Sequence, residues 1–555
     1  MVAVLAAVTL LVLAPPPYVV VYTLVNWSEV WREAFYNEII GASYWGLLVR
    51  SLSLSLRLSL TVTAVDILIG LPVSYMIARR LIPLRGLVED LSTLTLVVPT
   101  SAYGFALLMA WSSPTGISSL LGMDRGLVSQ TQLIPLVDVP LLLLLTHVAL
   151  TLPYIIRPLT AVMESLGEAY ELVSRSLGAS SLTTFRRITL PLTLPSLVSS
   201  AVLAFTRSLG ETGATVIVAG VSMTASVTIV RLVYELKLGL ASLLASLLIA
   251  SALLLVVPVE LLSRRLGYGR DPRPTRLERA LVGVERRLAS LRMLSHATRY
   301  ALLLALLTIV AAPLAILVKA LPEYWSCDPY TGRAEGGIVY QMFGPLGYAK
   351  LLLKAAMNSL LVASLSTLAA VYISILVFTV MRRSRYGLLL RSLMRVPLIV
   401  PTSALGLSSL LLFGEGGLGL AGPSIWLTTI VHTSFSVPIV LETLMATYES
   451  LEVDALEEVA RTLGASPYDA LETVILPVIK RGIVAGAILA FTHSLGETGA
   501  TMIVMGRDVT VPVLVVNMAE ALAIPAALFT SACLLASALL ALLLLRRLQG
   551  SAPSP

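Results

Sequence analysis

Residues 203–220 read L-A-F-T-R-S-L-G-E-T-G-A-T-V-I-V-A-G, and residues 489–506 read L-A-F-T-H-S-L-G-E-T-G-A-T-M-I-V-M-G. The offset is 286 residues, and it also aligns Gly178 with Gly464 and Pro191 with Pro477. Upstream, V-P-T-S-A-Y-G at 98–104 returns as V-P-T-S-A-L-G at 400–406, with the offset enlarged by a loop difference. His147 and Pro153 likewise match His432 and Pro438. Self-similarity at a fixed period has to be recognised before any single motif, because it sets the architecture. The chain is two copies of one unit.

Composition says what surrounds the unit. Of 555 residues, 57% are hydrophobic and 13% charged, about half the charged share a soluble domain carries. Uncharged runs long enough to cross a bilayer as helices occur at Val2–Val25, Leu238–Val259, Tyr300–Val318, Ala355–Met381 and Ala521–Leu545. Weaker spans are predicted near 58–78, 91–112, 136–156, 196–219, 396–414, 425–441 and 482–506. The expectation is an all-α integral membrane protein with about twelve transmembrane helices. The first run is read as a span rather than a signal peptide, since it lacks a basic start. Cys327 and Cys533 are too few for a disulfide framework or a Cys-rich metal site.

Arginine placement gives the orientation, because cytoplasmic loops collect Lys and Arg. With the N-terminus inside, the internal loops hold Arg79, Arg80, Arg85, Arg157, Arg175, Arg186 and Arg187. The second half repeats the bias with Arg382, Arg383, Arg385, Arg391 and Arg395, and the tail carries Arg546 and Arg547. Segment 264–299 holds ten arginines. Loops 26–50, 319–353 and 507–520, of mixed charge, fall outside. The net charge of +7 is thereby accounted for by orientation in lipid, and no nucleic-acid partner is expected. Both termini are expected in the cytoplasm. Six spans per copy give both copies the same orientation, hence a parallel repeat with a pseudo-twofold axis along the membrane normal. The expected division is a first half at 1–263, a basic cytoplasmic linker at 264–298 and a second half at 299–555. The linker has apolar positions at helical spacing and a basic face. It is read either as an amphipathic helix at lipid headgroups or as a solvated connector.

Between spans four and five of each half lies a polar segment of one design. The first, residues 171–191, reads E-L-V-S-R-S-L-G-A-S-S-L-T-T-F-R-R-I-T-L-P, and the second, 457–477, reads E-E-V-A-R-T-L-G-A-S-P-Y-D-A-L-E-T-V-I-L-P. Each is predicted to be a short helix stopped by glycine, then a second helix that stops before a proline. Two short helices at an angle make a knob on the cytoplasmic surface.

This segment resembles the "EAA" coupling loop of ABC importer permeases: E-A-A, three residues, G, nine residues, I, one residue, L-P. Both copies keep the Gly-to-Pro spacing of 13. Glu458, Val459, Ala460, Gly464, Leu476 and Pro477 match the pattern, with Ala465 after the glycine and Val474 in place of isoleucine. In the first copy Leu172, Val173 and Ser174 occupy the E-A-A positions, Glu171 stands one place earlier, and Gly178, Ala179 and Pro191 complete the pattern. The resemblance covers roughly 50–263 and 355–547. It implies two ATPase subunits docked on the cytoplasmic knobs and an extracytoplasmic solute-binding protein outside. No G-x-x-x-x-G-K-[S/T] loop occurs in the chain, so ATP and its magnesium are expected on a partner. No cofactor or metal is expected on this chain, which has neither a catalytic triad nor a His-rich site.

Glu211 and Glu497 are placed about two-thirds of the way through predicted spans five and eleven. Charges at that depth are costly and normally face a bundle interior or a water-filled path. Arg207 and His493 stand four residues earlier, on the same helical face. Thr212, Thr215, Thr498 and Thr501 add hydroxyls, and the flanking glycines allow close helix approach. Two readings stay open: a gate on the pseudo-twofold axis, or intramembrane polar pairs that only hold helices together. Asp66, His147 and His432 are read as interhelical hydrogen-bonding groups. L-G-E-T-G-A-T is similar to the L-G-E-F-G-A-T segment of molybdate, tungstate and sulfate permeases, and to a G-E-T stretch of phosphate permeases. Fusion of the halves looks like ferric-iron and thiamine permeases. The expected substrate is an inorganic oxyanion, with ferric iron or thiamine as the alternative. Twelve spans in two halves also describe major-facilitator transporters, but the loop A-R-R-L-I-P-L-R-G lacks the aspartate that family carries there.

Overall fold

The computed structural model describes residues 8–36, 43–83, 85–113, 137–265, 281–285, 287, 292–384 and 386–550, with short stretches between 116 and 135. Outside a two-residue antiparallel ladder, Leu133–Ile134 with Val139–Pro140, the regular structure among these residues is helical. Nine described helices are long and apolar enough to cross a membrane, and up to eleven if each of two bent pairs is one span. The first expected span begins within residues 1–7, outside the described part; its remainder includes the helix Pro15–Val25. Most of the linker, 266–280, 286 and 288–291, is also outside, while 281–285 are helical.

Six elements of each half position the site. In the first they are α1 (Ser43–Ala78), α2 (Thr100–Ser112), α3 (Leu141–Leu166), α4 (Ala169–Ser176), α5 (Leu190–Gly210) and α6 (Gly213–Ala219). In the second they are α7 (Tyr348–Arg383), α8 (Thr402–Phe413), α9 (Ile425–Ser450), α10 (Val453–Thr462), α11 (Leu476–Gly496) and α12 (Gly499–Val504). The stripe Ser55, Ser59, Val62, Asp66, Gly70, Ser74 and Ile77 of α1 is buried. Spacings of three and four place it on one helical face. Small residues there let helices approach: a methyl group on Gly70 would lie 2.7 Å from Ile155 Cγ2 of α3, and Ser74 Oγ donates to Ile156 O at 3.1 Å. In the second half Ser374 of α7 donates to Val437 O of α9 at 3.0 Å. Without a hydrophobic drive between helices in lipid, this close packing and these bonds supply cohesion.

Two expected spans, 91–112 and 396–414, are each broken by proline. Arg85–Val97 and α2 meet at 116°, and Leu389–Ile399 and α8 at 105°. The corners are Pro99 (φ −54°, ψ 133°) and Pro401 (φ −54°, ψ 135°). Proline lacks the N–H that would continue the helix and pushes the preceding residue to extended dihedrals; Val400 accordingly has ψ 129°.

Candidate translocation path and coupling surface

Spans five and eleven also differ from their sequence reading. Neither Glu211 nor Glu497 lies within a continuous helix: α5 ends at Gly210 and α11 at Gly496, and each glutamate is extended, at ψ 125° and 128°. The helix resumes at Gly213 and Gly499. Each break lies against a proline of the other half. A methyl on Gly210 would come within 3.1 Å of Pro401 Cα, and one on Gly496 within 3.2 Å of Pro99 Cα. The corner of each broken span therefore presses on the end of the other half's helix.

The two G-E-T-G corners also meet each other. A methyl on Gly213 would lie 2.7 Å from Thr498 Oγ1, and one on Gly499 2.7 Å from Thr212 Oγ1; Thr100 and Thr402 crowd the same two glycines. Thr212, Thr498, Thr215 and Thr501 are buried. Within each half α6 and α12 lie on the broken spans, since methyls on Gly104 and Gly406 would reach 2.5 Å from Ala214 Cα and 2.8 Å from Ala500 Cα. With the Thr498 side chain set against Gly213, no solute fits between the two.

Each glutamate bonds the helix that follows it. Glu211 Oε1 accepts from Ala214 N–H at 3.0 Å, and Glu497 Oε1 from Ala500 N–H at 3.2 Å. The glutamate carbonyls accept from Thr215 and Thr501, both at 3.0 Å. A carboxylate at a helix start satisfies a backbone donor that has no intrahelical partner. His147 spans the break, with Nδ1 2.9 Å from Ser208 Oγ and Nε2 3.0 Å from Thr215 Oγ1. His432 does the same with Ser494 and Thr501 at 2.6 and 2.9 Å. Asp66 Oδ2 accepts from Thr151 of α3 at 2.5 Å.

The halves differ in charge here. Arg207 Nη2 lies 2.7 Å from Glu211 Oε2, whereas His493 packs edge-on against Phe435, ring centroids 5.0 Å apart. Arg207, Tyr154 and Pro99 of the first half line one cavity of about 30 Å³ with His493 and Glu497 of the second, room for a water or two. A single guanidinium thus faces carboxylates of both halves.

On the polar segments, α4 and α10 end alike. Gly178 and Gly464 adopt left-handed φ of +86° and +94°. Ala179 N–H bonds Ser174 O at 3.2 Å and Gly178 N–H bonds Arg175 O at 2.9 Å; Ala465 and Gly464 repeat this with Ala460 and Arg461, both at 3.1 Å. This is the six-to-one and five-to-two pairing of a Schellman stop. Ser180 and Ser466 then cap the next turn, accepting from Thr183 and Asp469 N–H, both at 3.2 Å.

That second helix does not stop before the proline. Ser181–Gly210 and Pro467–Gly496 each run on as one 30-residue helix through Pro191 and Pro477. A π-helical turn at Phe185–Thr189, and another at Leu471–Ile475, precedes each proline. Widening the turn accommodates a residue that cannot donate to the carbonyl one turn back.

Glu171 is 5% exposed and fastens α4 to the end of α1. Its Oε1 accepts from Arg79 Nη2 at 2.9 Å and Thr189 Oγ1 at 2.8 Å, and its Oε2 from Tyr75 OH at 3.0 Å. Burial opposes ionisation, but Arg79, Thr189 and Tyr75 together hold the carboxyl below its ordinary value. In the second half the equivalent anchor is Glu457, paired with Arg382 at the end of α7, while Glu458, at the motif's first position, is exposed. The offset of 286 residues maps Glu171 onto Glu457, a signal that matching to the motif alone passes over. Both knobs point apolar tips outward, with Leu177 and Leu463 each 84% exposed.

The family described as "Binding-protein-dependent transport system inner membrane component" matches twice, at residues 70–268 and 350–550. The chain belongs to that family. It is a multi-pass transport permease component with two permease halves fused in one polypeptide. The sulfate transport system permease protein CysT of Salmonella typhimurium is 28% identical over 247 residues, 44% of this chain and 83% of that protein. The molybdenum transport system permease protein ModB of Mycobacterium tuberculosis is 34% identical over 216 residues, 39% of this chain and 75% of that protein. The molybdate/tungstate transport system permease protein WtpB of Pyrococcus abyssi is 29% identical over 185 residues, 33% of this chain and 66% of that protein. Each of these permeases aligns with less than half of the chain, the proportion one repeat of a fused pair requires.

Proposed function

We propose that this permease is the membrane component of an ATP-driven importer for an inorganic oxyanion, in the class of sulfate, molybdate, tungstate or phosphate. The observation that carries the importer reading is the pair of Schellman-ended knobs, each fastened by a buried or half-buried ion pair, at equivalent points of the two halves. A pair of rigid, apolar-tipped projections suits two ATPase subunits whose closure has to be transmitted to the helices above. Glu171, Gly178, Ala179 and Pro191, with Glu458, Ala460, Gly464, Ala465 and Pro477, belong to these docking elements. ATP and magnesium reside on the partner subunits, and this chain makes and breaks no bonds. The knobs face the cytoplasm with both termini, and an extracytoplasmic solute-binding protein delivers the solute to the opposite face.

The solute path runs along the pseudo-twofold axis, where Arg207, Glu211, Thr212 and Thr215 meet His493, Glu497, Thr498 and Thr501. The contact of Gly213 with Thr498 describes a closed state, and opening separates the two G-E-T-G corners. The substrate class is supported by what the sulfate and molybdenum relatives are named for and by the guanidinium of Arg207 in the path. The test is binding of sulfate, molybdate, tungstate, phosphate, ferric iron and thiamine to the solute-binding protein encoded beside this chain, followed by uptake of the bound solute into vesicles. Tight binding of ferric iron or thiamine alone refutes the oxyanion reading while leaving the importer intact.

A further inference from the structure

The two coupling elements share a backbone but not a charge. Residues 165–191 contain two acids and three arginines, while residues 451–477 contain six acids and one arginine. Where the first carries Thr183 and Arg186, the second carries Asp469 and Glu472.

Thr183 and Arg186 are both taken by one side chain from the segment between the repeats. Thr183 Oγ1 donates to Glu285 Oε2 at 2.7 Å, Arg186 Nε donates to Oε1, and Arg186 Nη2 reaches Oε2 at 3.4 Å. The Glu285 side chain keeps 13% of its exposure and that of Arg186 33%, so the contact is shielded more than an ordinary surface pair, which contributes little. Arg186, with smaller contributions from Thr183 and Arg187, holds the Glu285 carboxyl below its ordinary value against a modest cost of burial. A fork-shaped guanidinium and a hydroxyl converging on one carboxylate fix geometry as well as charge.

We infer that residues 281–285, in the segment joining the repeats, are a clasp for the first coupling element alone, and that an ATPase docking there meets a composite surface of knob and residues 281–285. The second element refuses the clasp. Asp469 is already committed to Ser466, whose hydroxyl and N–H it accepts at 2.5 and 3.1 Å, and Glu472 would repel Glu285. The groove beside the clasp, about 780 Å³ and lined by Tyr170, Val173, Leu177 and Ile188 as well as Thr183, is walled on one side by a clasped residue. The consequence is two inequivalent seats: both knobs have a glutamate anchor, Glu171 or Glu457, but only the first is held in addition by Glu285. The functional consequence rests on the importer reading; the clasp itself does not.

The experiment uses the full chain with Cys327→Ser and Cys533→Ser. Thr183→Cys with Glu285→Cys, and separately Asp469→Cys with Glu285→Cys, are treated with a short bis-thiosulfonate reagent. Cross-linking of the first pair and not the second is expected; equal cross-linking, or none at the first pair, overturns the clasp. In complexes reconstituted with the ATPases, Glu285→Arg should lower uptake per assembled complex roughly fivefold, the scale of a modest coupling free energy. Arg186→Glu together with Glu285→Arg should restore it. Unchanged uptake in Glu285→Arg, or a double variant no better than the single, refutes the composite seat. Absence of ATP-driven uptake by the parent chain would count against the importer reading instead, and the cross-linking pattern would still decide the clasp.

Discussion

Arg207 and Glu211 form an ion pair of 2.7 Å one helical turn apart, at positions where the second half has a histidine turned onto Phe435 and a glutamate bonded to Ala500 N–H. Two near-identical stretches, 203–220 and 489–506, therefore balance charge differently. Glu211→Gln keeps an acceptor for Ala214 but removes the ion-pair partner of Arg207, leaving that guanidinium to face Tyr154 and Glu497 across the cavity. Breaking a fully buried pair costs about 3–5 kcal/mol, and the 20% exposure of the Arg207 side chain reduces that. Glu497→Gln keeps its acceptor for Ala500 and breaks no pair in its own half. The melting temperature of the purified complex should fall clearly for Glu211→Gln and little for Glu497→Gln. Equal losses would mean that the two carboxylates are structurally interchangeable. If uptake per assembled complex then falls in both variants, the pair acts in the path; unchanged uptake in both leaves it only a structural role.

The crossing at Gly213 and Gly499 makes a symmetric prediction. Each site would place a new methyl 2.7 Å from a threonine hydroxyl of the other half, and overpacking of this kind costs about 1–3 kcal/mol. Gly213→Ala and Gly499→Ala should each destabilise the closed state by a similar amount. Thermal melts are the measure, with Gly86→Ala as an open-space control, since a methyl there meets nothing within 4 Å. A glycine substitution at the crossing no worse than the control would mean that the halves do not touch there.

Much of this was legible in the sequence because repetition and apolar length are local properties. The duplicated stretch 203–220 and 489–506, the long spans and the glycine-ended polar segments could all be read directly. The breaks after Gly210 and Gly496 could not, because the apolar run A-T-V-I-V-A after Gly213 continues a span by composition, and the residue packed against each break, Pro401 or Pro99, belongs to the other half. Pro191 and Pro477 misled in the opposite direction: a proline normally ends a helix, but a π turn just before each absorbs it. The second anchor, Glu457, lay one residue from the motif position, visible through the internal offset and hidden by the motif. Glu285 carries no sequence signal, since its partners lie about a hundred residues away.

Acid should loosen the first polar knob. Glu171 has its carboxyl pKa lowered in the folded protein, by Arg79, Thr189 and Tyr75 against burial. A lowered pKa contributes stability above the ordinary carboxylate value of about 4.5 and loses it as pH falls through the depressed value. Proteolysis at α4 in detergent should accelerate below that range in the parent chain. Glu171→Gln should be loosened already at neutral pH and change little on acidification. Identical pH profiles for the two proteins would show that Glu171 is not the titrating anchor.

Sidedness is tested by single cysteines in a chain lacking Cys327 and Cys533. Gly283→Cys should be shielded from an impermeant thiol reagent in sealed cells, and Glu335→Cys, which is exposed, should react. The opposite pattern would invert the orientation and place the knobs outside, where no ATPase could reach them.

Gly464 offers the sharpest separation of coupling from folding. Its φ of +94° lies where a β-branched residue is strained, by about 1–2 kcal/mol, yet a Cβ there would meet no atom beyond its chain neighbours within 4 Å. The Cβ of Gly464→Val has open space, so the cost falls mainly on the turn that sets the angle between α10 and the start of the following long helix. Insertion and assembly, which depend on the apolar spans, should be near normal, while the misdirected knob should fit its ATPase poorly. The expected signature is ATP hydrolysis that no longer responds to loaded solute-binding protein, together with reduced uptake. Gly178→Val should act in the same direction, because Gly178 has the same Schellman pairing and the same open surroundings. Wild-type stimulation and uptake in both variants would mean that neither turn transmits anything, and the knobs would then be surface structure without a partner.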